Sequence, residues 1–194
     1  MTDYAQARES CVVFDQSSRG KAQVAGKDAA SFLHNLSTND IANLPLGGGC
    51  EVFFCNLKAK VVVHALIYHA LLGPDEPVYW IDTAPGFGEK LVKHLDKFLI
   101  AEQVELADKT GEFFQVHLAG PTAKAVLQRA LADEVPDLAP LQHMERTFGA
   151  SVHSHIRRND ALGLPGYDIV CLTPLGPGLW RMLTAVSYTH LTLP

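Results

Sequence analysis

The chain has 194 residues, 47% of them hydrophobic and 19% charged, with a net charge of −5 and a sequence pI near 5.9. That composition is globular and excludes a disordered chain, and its acidic balance argues against a broad electrostatic footprint for nucleic acid. The opening MTDYAQARES has acids and no apolar stretch, so it reads as neither secretory signal nor Arg-rich transit peptide, and a cytoplasmic protein is expected.

Cys11 to Phe14 and Lys21 to Val24 are short apolar runs separated by the turn-forming Asp15-Gln16-Ser17-Ser18-Arg19-Gly20, and are expected to be two paired strands. Gly26 supplies a turn. Asp28 is placed to cap, with its carboxylate, a helix in which Ala29, Phe32, Leu33 and Leu36 recur at helical spacing. That helix should stop at Ser37-Thr38-Asn39-Asp40, whose side chains compete for their own backbone. The glycines at 47–49 lack both the spacing and the strand-to-helix setting of a phosphate loop.

Strands are expected over Glu51 to Asn56 and Lys60 to Ala70, joined at Leu57-Lys58-Ala59. In the second, Val61, Val63, Ala65 and Ile67 share one face, and Val62, His64, Leu66 and Tyr68 the other. Both faces are largely apolar, which predicts a strand in the middle of a covered sheet with His64 in its interior. The apolar run from Val61 to Leu72, interrupted by His64 and His69, is too short to span a bilayer, so no membrane partner is expected. Four cysteines, at 11, 50, 55 and 171, form no C-x-x-C pair, leaving zinc-ribbon and dithiol chemistry unsupported.

After a turn at 73–77, Val78 to Asp82 reads as a strand, and Pro85 takes the first position of a helix through Leu91, Leu95 and Phe98. Gly86 and Gly88 serve close packing there or, on a sharper reading, an anion site on free amides. Glu102 to Leu106 and Phe113 to Leu118 are further strands, and Gly120-Pro121-Thr122-Ala123 opens a helix with Val126, Leu127, Ala130 and Leu131 inward. The order strand, V-H-L-A-G-P, helix repeats the earlier order strand, V-A-G-K-D, helix, which predicts an internal duplication. Phe148 to Arg158 and Gly166 to Leu172 are strands, followed by a short helix at Leu179. His153 and His155 lie two apart and so share a face that can chelate a metal. With no third ligand nearby in sequence, exposed strand polarity is the favoured reading and no metal is expected. Residues 186–194 read as a translated sequencing-adaptor peptide, so the native sequence is expected to break near Ala185.

Four strings occur in order: F-D-x-S-x-x-G-K over 14–21, V-x-G-x-D-A then F-L-x-x-L-x-T-N-D-I over 24–41, R-x-D-x-L-G-L-P-G-Y-D-I over 158–169, and L-W-x-x-L over 179–183. In that order they resemble the folate-binding domain shared by the glycine-cleavage T-protein, an aminomethyltransferase, and the YgfZ-type folate-binding proteins. The resemblance covers nearly all of the first 185 residues and lacks the family's C-terminal portion. It implies an α+β fold of duplicated strand-helix units forming mixed sheets around a central cleft, with residues 1–185 as one incomplete folate-binding domain. It also implies tetrahydrofolate or a related folate as ligand, in a cleft reached by His64, Asn39, Asp40, Lys58, Leu164 and Tyr167. Lys58 and Lys60 flank a turn and either meet the glutamyl carboxylates of the folate tail or are solvated edge-strand lysines.

Two positions depart from the transferases. Their Asp on the strand after an N-x-x-G-x-I turn corresponds to His64 here, and a neutral imidazole supplies no fixed negative charge. Their Glu bonded to the pterin edge corresponds to Leu164, which makes no such bond. The resemblance therefore implies a YgfZ-like folate binder with no assigned catalytic residue. Its role would be upkeep of iron-sulfur enzymes or of a tRNA modification that depends on them, with iron-sulfur proteins as possible partners. The alternatives are a true aminomethyltransferase of glycine cleavage and a partner-binding module that has lost folate.

Overall fold

The computed structural model describes residues 3–71 and 76–188. Most of the turn expected at 73–77, and residues 189–194 of the tail, lie outside them. In chain order the elements are α1 (Asp3–Glu9), β1 (Val12–Asp15), β2 (Gly20–Ala25), α2 (Ala29–Leu36), β3 (Gly49–Cys55), β4 (Val61–Leu71), β5 (Pro77–Thr83) and α3 (Gly88–Asp96). They continue as β6 (Glu105–Asp108), β7 (Phe113–Ala119), α4 (Ala123–Leu131), β8 (His143–Phe148), β9 (Val152–Arg158), β10 (Gly166–Leu172) and α5 (Gly176–Tyr188). The class is α+β. None of the described helices is long and apolar enough to cross a membrane.

The chain divides into two compact units, residues 18–110 and residues 1–17 with 111–194. The first holds a sheet in the order β3-β4-β5-β2-β6, and the second a sheet in the order β8-β9-β10-β7-β1. Element by element these are the same: β2 matches β7, α2 matches α4, the β3-β4-β5 meander matches β8-β9-β10, and α3 matches α5. One strand breaks the sequence order. In the second sheet the place of β6 is taken by β1, from the other end of the chain.

The duplication extends to backbone detail. Gly26 (φ +109°) and Gly120 (φ +134°) close matching strands, and each carbonyl accepts the N–H three residues on, from Ala29 and Ala123. Asp28 N–H donates to the Gln103 carbonyl just ahead of β6, and Thr122 N–H to the Ser10 carbonyl just ahead of β1. A Cβ on either glycine would lie 2.3 Å from that same carbonyl oxygen, so only glycine permits the approach.

Each unit buries one core between sheet and helices. In residues 18–110, Phe32 and Leu33 of α2 and Leu91 and Leu95 of α3 pack on Val24, Val52, Phe54, Val63, Ile67 and Ile81. In the other, Val126, Leu127, Leu179 and Leu183 pack on Val116, Leu118, Ile156 and Ile169. Each such side chain contributes about 1.5–3 kcal/mol on burial.

Several expectations are corrected. Every pairing among the described strands is antiparallel, where mixed sheets were expected, because successive strands run as meanders rather than through parallel crossovers. β1 and β2 do not pair: β1 lies on β7 and β2 between β5 and β6, so the polar turn between them carries the chain from one unit to the other. The Asp28 carboxylate accepts the Gln103 N–H at 2.8 Å and makes no helix cap. α3 begins at Gly88 rather than Pro85. β4 is buried on the Val63, Ala65, Ile67 side, while its other side is exposed at His64 and half-buried at Leu66, so the strand is not covered on both faces throughout.

Candidate functional site

Alternation along a strand places every second residue on the face of the first sheet opposite its helices. There the register aligns Glu51, Leu66, Asp82 and Lys21 in one cross-strand row and Tyr68, Trp80 and Gln23 in the next, with Phe53 directly opposite His64. Lys21, Tyr68, Trp80 and Asp82 are buried, and the Lys21 ammonium donates to the Arg19 carbonyl at 2.9 Å. Towards the β3–β4 end the face opens to solvent. His64 Nε2 meets Glu51 Oε1 at 2.6 Å, with the two side chains 52% and 59% exposed. The Phe53 ring lies 5.1 Å from the imidazole, tilted by 33°.

The loop after α2 lines the edge of this strand pair. Ser37 forms a bridge with Phe54, Thr38 Oγ1 accepts the Phe53 N–H at 2.9 Å, and Asn39 Nδ2 donates to the Glu51 carbonyl at 3.1 Å. Asp40 turns back to Asn43, whose side-chain and backbone N–H groups donate to it. Those bonds, assisted by the charge of His34 at 3.3 Å and opposed by slight burial, hold the Asp40 carboxyl below its ordinary value. The polar loop and the edge strand thus form one hydrogen-bonded border.

Of the residues expected to reach the cleft, His64, Asn39 and Asp40 fall within this cluster. His64 does so in an exposed side-chain contact with Glu51 rather than in a sheet interior. Lys58 sits at the tip of the β3–β4 hairpin, where Asn56 Oδ1 accepts the N–H groups of Lys58 and Lys60 and Ala59 takes φ +57°. Leu164 and Tyr167 belong to the other unit. Leu164 is half-buried in the turn before β10, and Tyr167 is buried, its hydroxyl accepting from Arg158 Nη1 at 3.1 Å. Glu51, Phe53, Lys21 and Asp82 escaped the sequence reading. The signal for the last was a carboxylate ending an otherwise apolar strand, V-Y-W-I-D.

The other unit holds a polar network in which Asp168, His117 and Arg157 are fully buried. Asp168 accepts from His117 Nδ1 at 2.7 Å and from Asn159 Nδ2 at 2.6 Å, and stands opposite Arg157 in the β9–β10 register. Burial alone would raise the Asp168 carboxyl, but these bonds and the charges of His117 and Arg157 outweigh it and hold the group below its ordinary value. His153 is exposed and bonded to Thr147, as strand polarity predicts, whereas His155 is half-buried and bonded to both His143 and Arg157. Among the described residues no group of three metal-ligating side chains is assembled.

The family model described as the GCVT N-terminal domain matches residues 1–191. The chain belongs to that family. Curated relatives include the aminomethyltransferases of Anoxybacillus flavithermus, 26% identical over 192 residues, and Geobacillus kaustophilus, 27% identical over 192 residues; each match covers 99% of this chain and 51% of the relative. The chain therefore spans about half the length of the curated relatives it matches. Among solved structures, the glycine cleavage system aminomethyltransferase T from Bartonella henselae superposes with a TM-score of 0.80 at 20% identity, over 93% of this chain and 47% of that one. A chain of the heterotetrameric sarcosine oxidase from Corynebacterium sp. U-96 does so with a TM-score of 0.70 at 13% identity, over 95% and 87%. These likenesses establish the fold.

A GCVT-type domain implies a folate, and the face just described suits one. A pteridine is flat, aromatic and polar at its edge, and sites for such ligands combine a flat apolar surface with a few placed hydrogen-bonding groups. The Phe53 ring beside the imidazole supplies the first, and Glu51, Asn39 and His64 the second.

Proposed function

We propose that this GCVT-type domain binds tetrahydrofolate or a related reduced folate on the β3–β4 face and lacks full equipment for methylene transfer. The observation that supports this is the gathering of Phe53, His64 and Glu51 on one exposed strand pair bordered by Thr38 and Asn39. Bound tetrahydrofolate supplies the ring nitrogens that carry one-carbon groups. Phe53 would stack on the heterocycle, Glu51 and Asn39 would meet its polar edge, and Lys58 and Lys60 would draw the glutamyl tail. Where the transferases place an acid, His64 presents an imidazole already engaged through Nε2 by Glu51, and an imidazole holds no negative charge of its own. Leu164 offers no bond to a pterin edge.

By resemblance to the YgfZ branch, the cellular role we propose is support of iron-sulfur enzymes or of a tRNA modification that needs them. Loss of the gene should lower those activities, and reintroduction should restore them. Direct binding is tested by titrating the full chain with folinic acid in a calorimeter. Saturable heat is expected, with affinity reduced about tenfold in Phe53→Ala, a loss consistent with one stacking contact; no heat and no thermal shift would leave a partner-binding module without folate.

A second reading, the aminomethyltransferase of glycine cleavage, is favoured by Glu51, which restores a carboxylate 2.6 Å from the substituted His64. Formation of methylene-tetrahydrofolate from an aminomethyl-lipoyl carrier protein would establish it; folate binding without that product would favour the first reading.

A further inference from the structure

Phe53 stands directly opposite His64 in the β3–β4 register, and Glu51 directly opposite Leu66. His64 nevertheless meets Glu51, its diagonal neighbour, with Nε2 2.6 Å from Oε1. Diagonal neighbours on such a strand pair are about 7–8 Å apart, so the imidazole reaches Glu51 only by lying along the pair, over the strip that Phe53 borders. The Phe53 and His64 ring centroids are 5.1 Å apart and their planes 33° from parallel, within the range of attractive aromatic pairs. A flat nitrogen heterocycle thus already rests beside Phe53 and fills one oxygen of Glu51, the two groups that a pteridine would use.

The internal duplication shows that the backbone does not force this posture. Matching the two sheets through Gly26 and Gly120 makes His153 the counterpart of His64, Glu145 that of Glu51 and Thr147 that of Phe53. His153 bonds Thr147, directly opposite, at 2.9 Å, and forms no bond with Glu145 among the described residues. The same His and Glu at equivalent places therefore stay apart where the opposite side chain offers a hydroxyl, and meet where it offers an aromatic face.

The imidazole has room to leave. Pairing of β4 with β5 begins at Ala65, so that strand does not cover the flank of His64 away from Phe53. The side chain is 52% exposed, and Glu51 and Phe53 are its only side-chain partners among the described residues. Turning it out costs one exposed hydrogen bond and one aromatic contact.

We infer that His64 is a self-occupant of the β3–β4 face: in the free chain its imidazole holds the place of the ligand's heterocycle, and a folate binds by turning it out. This deepens the folate reading of that face and rests on it. Apparent affinity is then the intrinsic affinity reduced by the fraction of chains whose imidazole has swung away. The exposed bond and the aromatic contact together hold that fraction at about one in ten. Once turned out, the imidazole stands at the margin of the bound ring rather than on Phe53. The incoming ligand must match what it displaces, with a flat ring for Phe53 and N–H donors for Glu51, whose ionised carboxylate can only accept.

The test is calorimetric titration of the full chain with folinic acid, repeated on His64→Ala and on His153→Ala, its counterpart in the second unit. His64→Ala should bind about tenfold tighter than the parent, whereas a residue that only contacts ligand would weaken binding when removed. His153→Ala should bind as the parent does. NMR of the parent adds a readout free of substitution: cross-peaks between the His64 and Phe53 rings, present in the free chain, should vanish at saturation. Parent binding with His64→Ala equal or weaker, the same gain in His153→Ala, or His64–Phe53 cross-peaks that persist at saturation would each overturn the inference and leave the folate reading standing. No heat from either the parent or His64→Ala would remove both.

Discussion

Replacing Asp168 by Asn probes the buried network of the second unit. The carboxylate accepts from His117 and Asn159 and stands opposite Arg157, and all three charged or ionisable side chains are inaccessible to water. Asn preserves shape, but it turns one acceptor into a donor and removes the negative charge that the buried guanidinium faces. Removing one partner from a buried charged pair costs about 3–5 kcal/mol. Against a total stability of about 5–15 kcal/mol, that is a fifth or more. The two tryptophans give the assay its resolution, since Trp80 lies in β5 of one unit and Trp180 in α5 of the other. In a Trp80→Phe background, urea unfolding followed by fluorescence reports residues 1–17 and 111–188, and Asp168→Asn should lower the midpoint there with little change in slope. The pH dependence has a defined sign. Because the folded carboxyl is held below its ordinary value, its contribution is complete above the unfolded value of about 3.9 and is lost as pH falls from there through the folded value. The gap between parent and variant should therefore be full at pH 7 and close in acid. A loss under about 1 kcal/mol at pH 7, or a gap that does not narrow in acid, would refute the reasoning.

Ala59→Gly should stabilise residues 18–110 by about 0.5–1 kcal/mol, since Ala59 holds φ +57° at the hairpin tip and the strain relieved exceeds the entropy glycine adds to the unfolded chain; thermal unfolding measures it. Gly120→Ala should cost more than about 2 kcal/mol, as its Cβ would press on the Ser10 carbonyl, and the Trp180 signal should report that loss ahead of Trp80. Burial, with the charges of Arg157 and His143, holds His155 well below its ordinary pKa, so its contribution is complete above the unfolded value near 6.5 and declines as pH falls from there. His155→Gln should flatten the stability profile between pH 6.5 and 5 by up to about 1.4 kcal/mol per pH unit, read from urea midpoints.

Much of the fold is written in local pattern. α2 is legible because Ala29, Phe32 and Leu33 sit on one helical stripe, and β10 because Gly166 to Leu172 is a bounded apolar run. β8 is not: His-Met-Glu-Arg-Thr-Phe has no apolar alternation, and it is a strand because β9 pairs with it along six residues. The separation of β1 from β2 is likewise tertiary, since a polar six-residue turn serves a hairpin or a passage between units equally well. Asp28 shows the same limit. Its cap geometry was readable, but its carboxylate found the N–H of Gln103, 75 residues away. At the candidate site, Asn39 and Asp40 could be singled out from the loop they end, whereas the bond from His64 to Glu51 depends on a register no local pattern specifies. Lys21 and Asp82 left a fainter trace as charged residues in apolar strands, at alternate positions that place them opposite each other.

The most direct measurement is a crystal structure of the full chain with folinic acid bound. The pteridine should stack on Phe53 with its edge towards Glu51 and Asn39 and a ring nitrogen towards His64. A pteridine bound away from the β3–β4 face, with Phe53 and the His64–Glu51 pair untouched, would contradict the account.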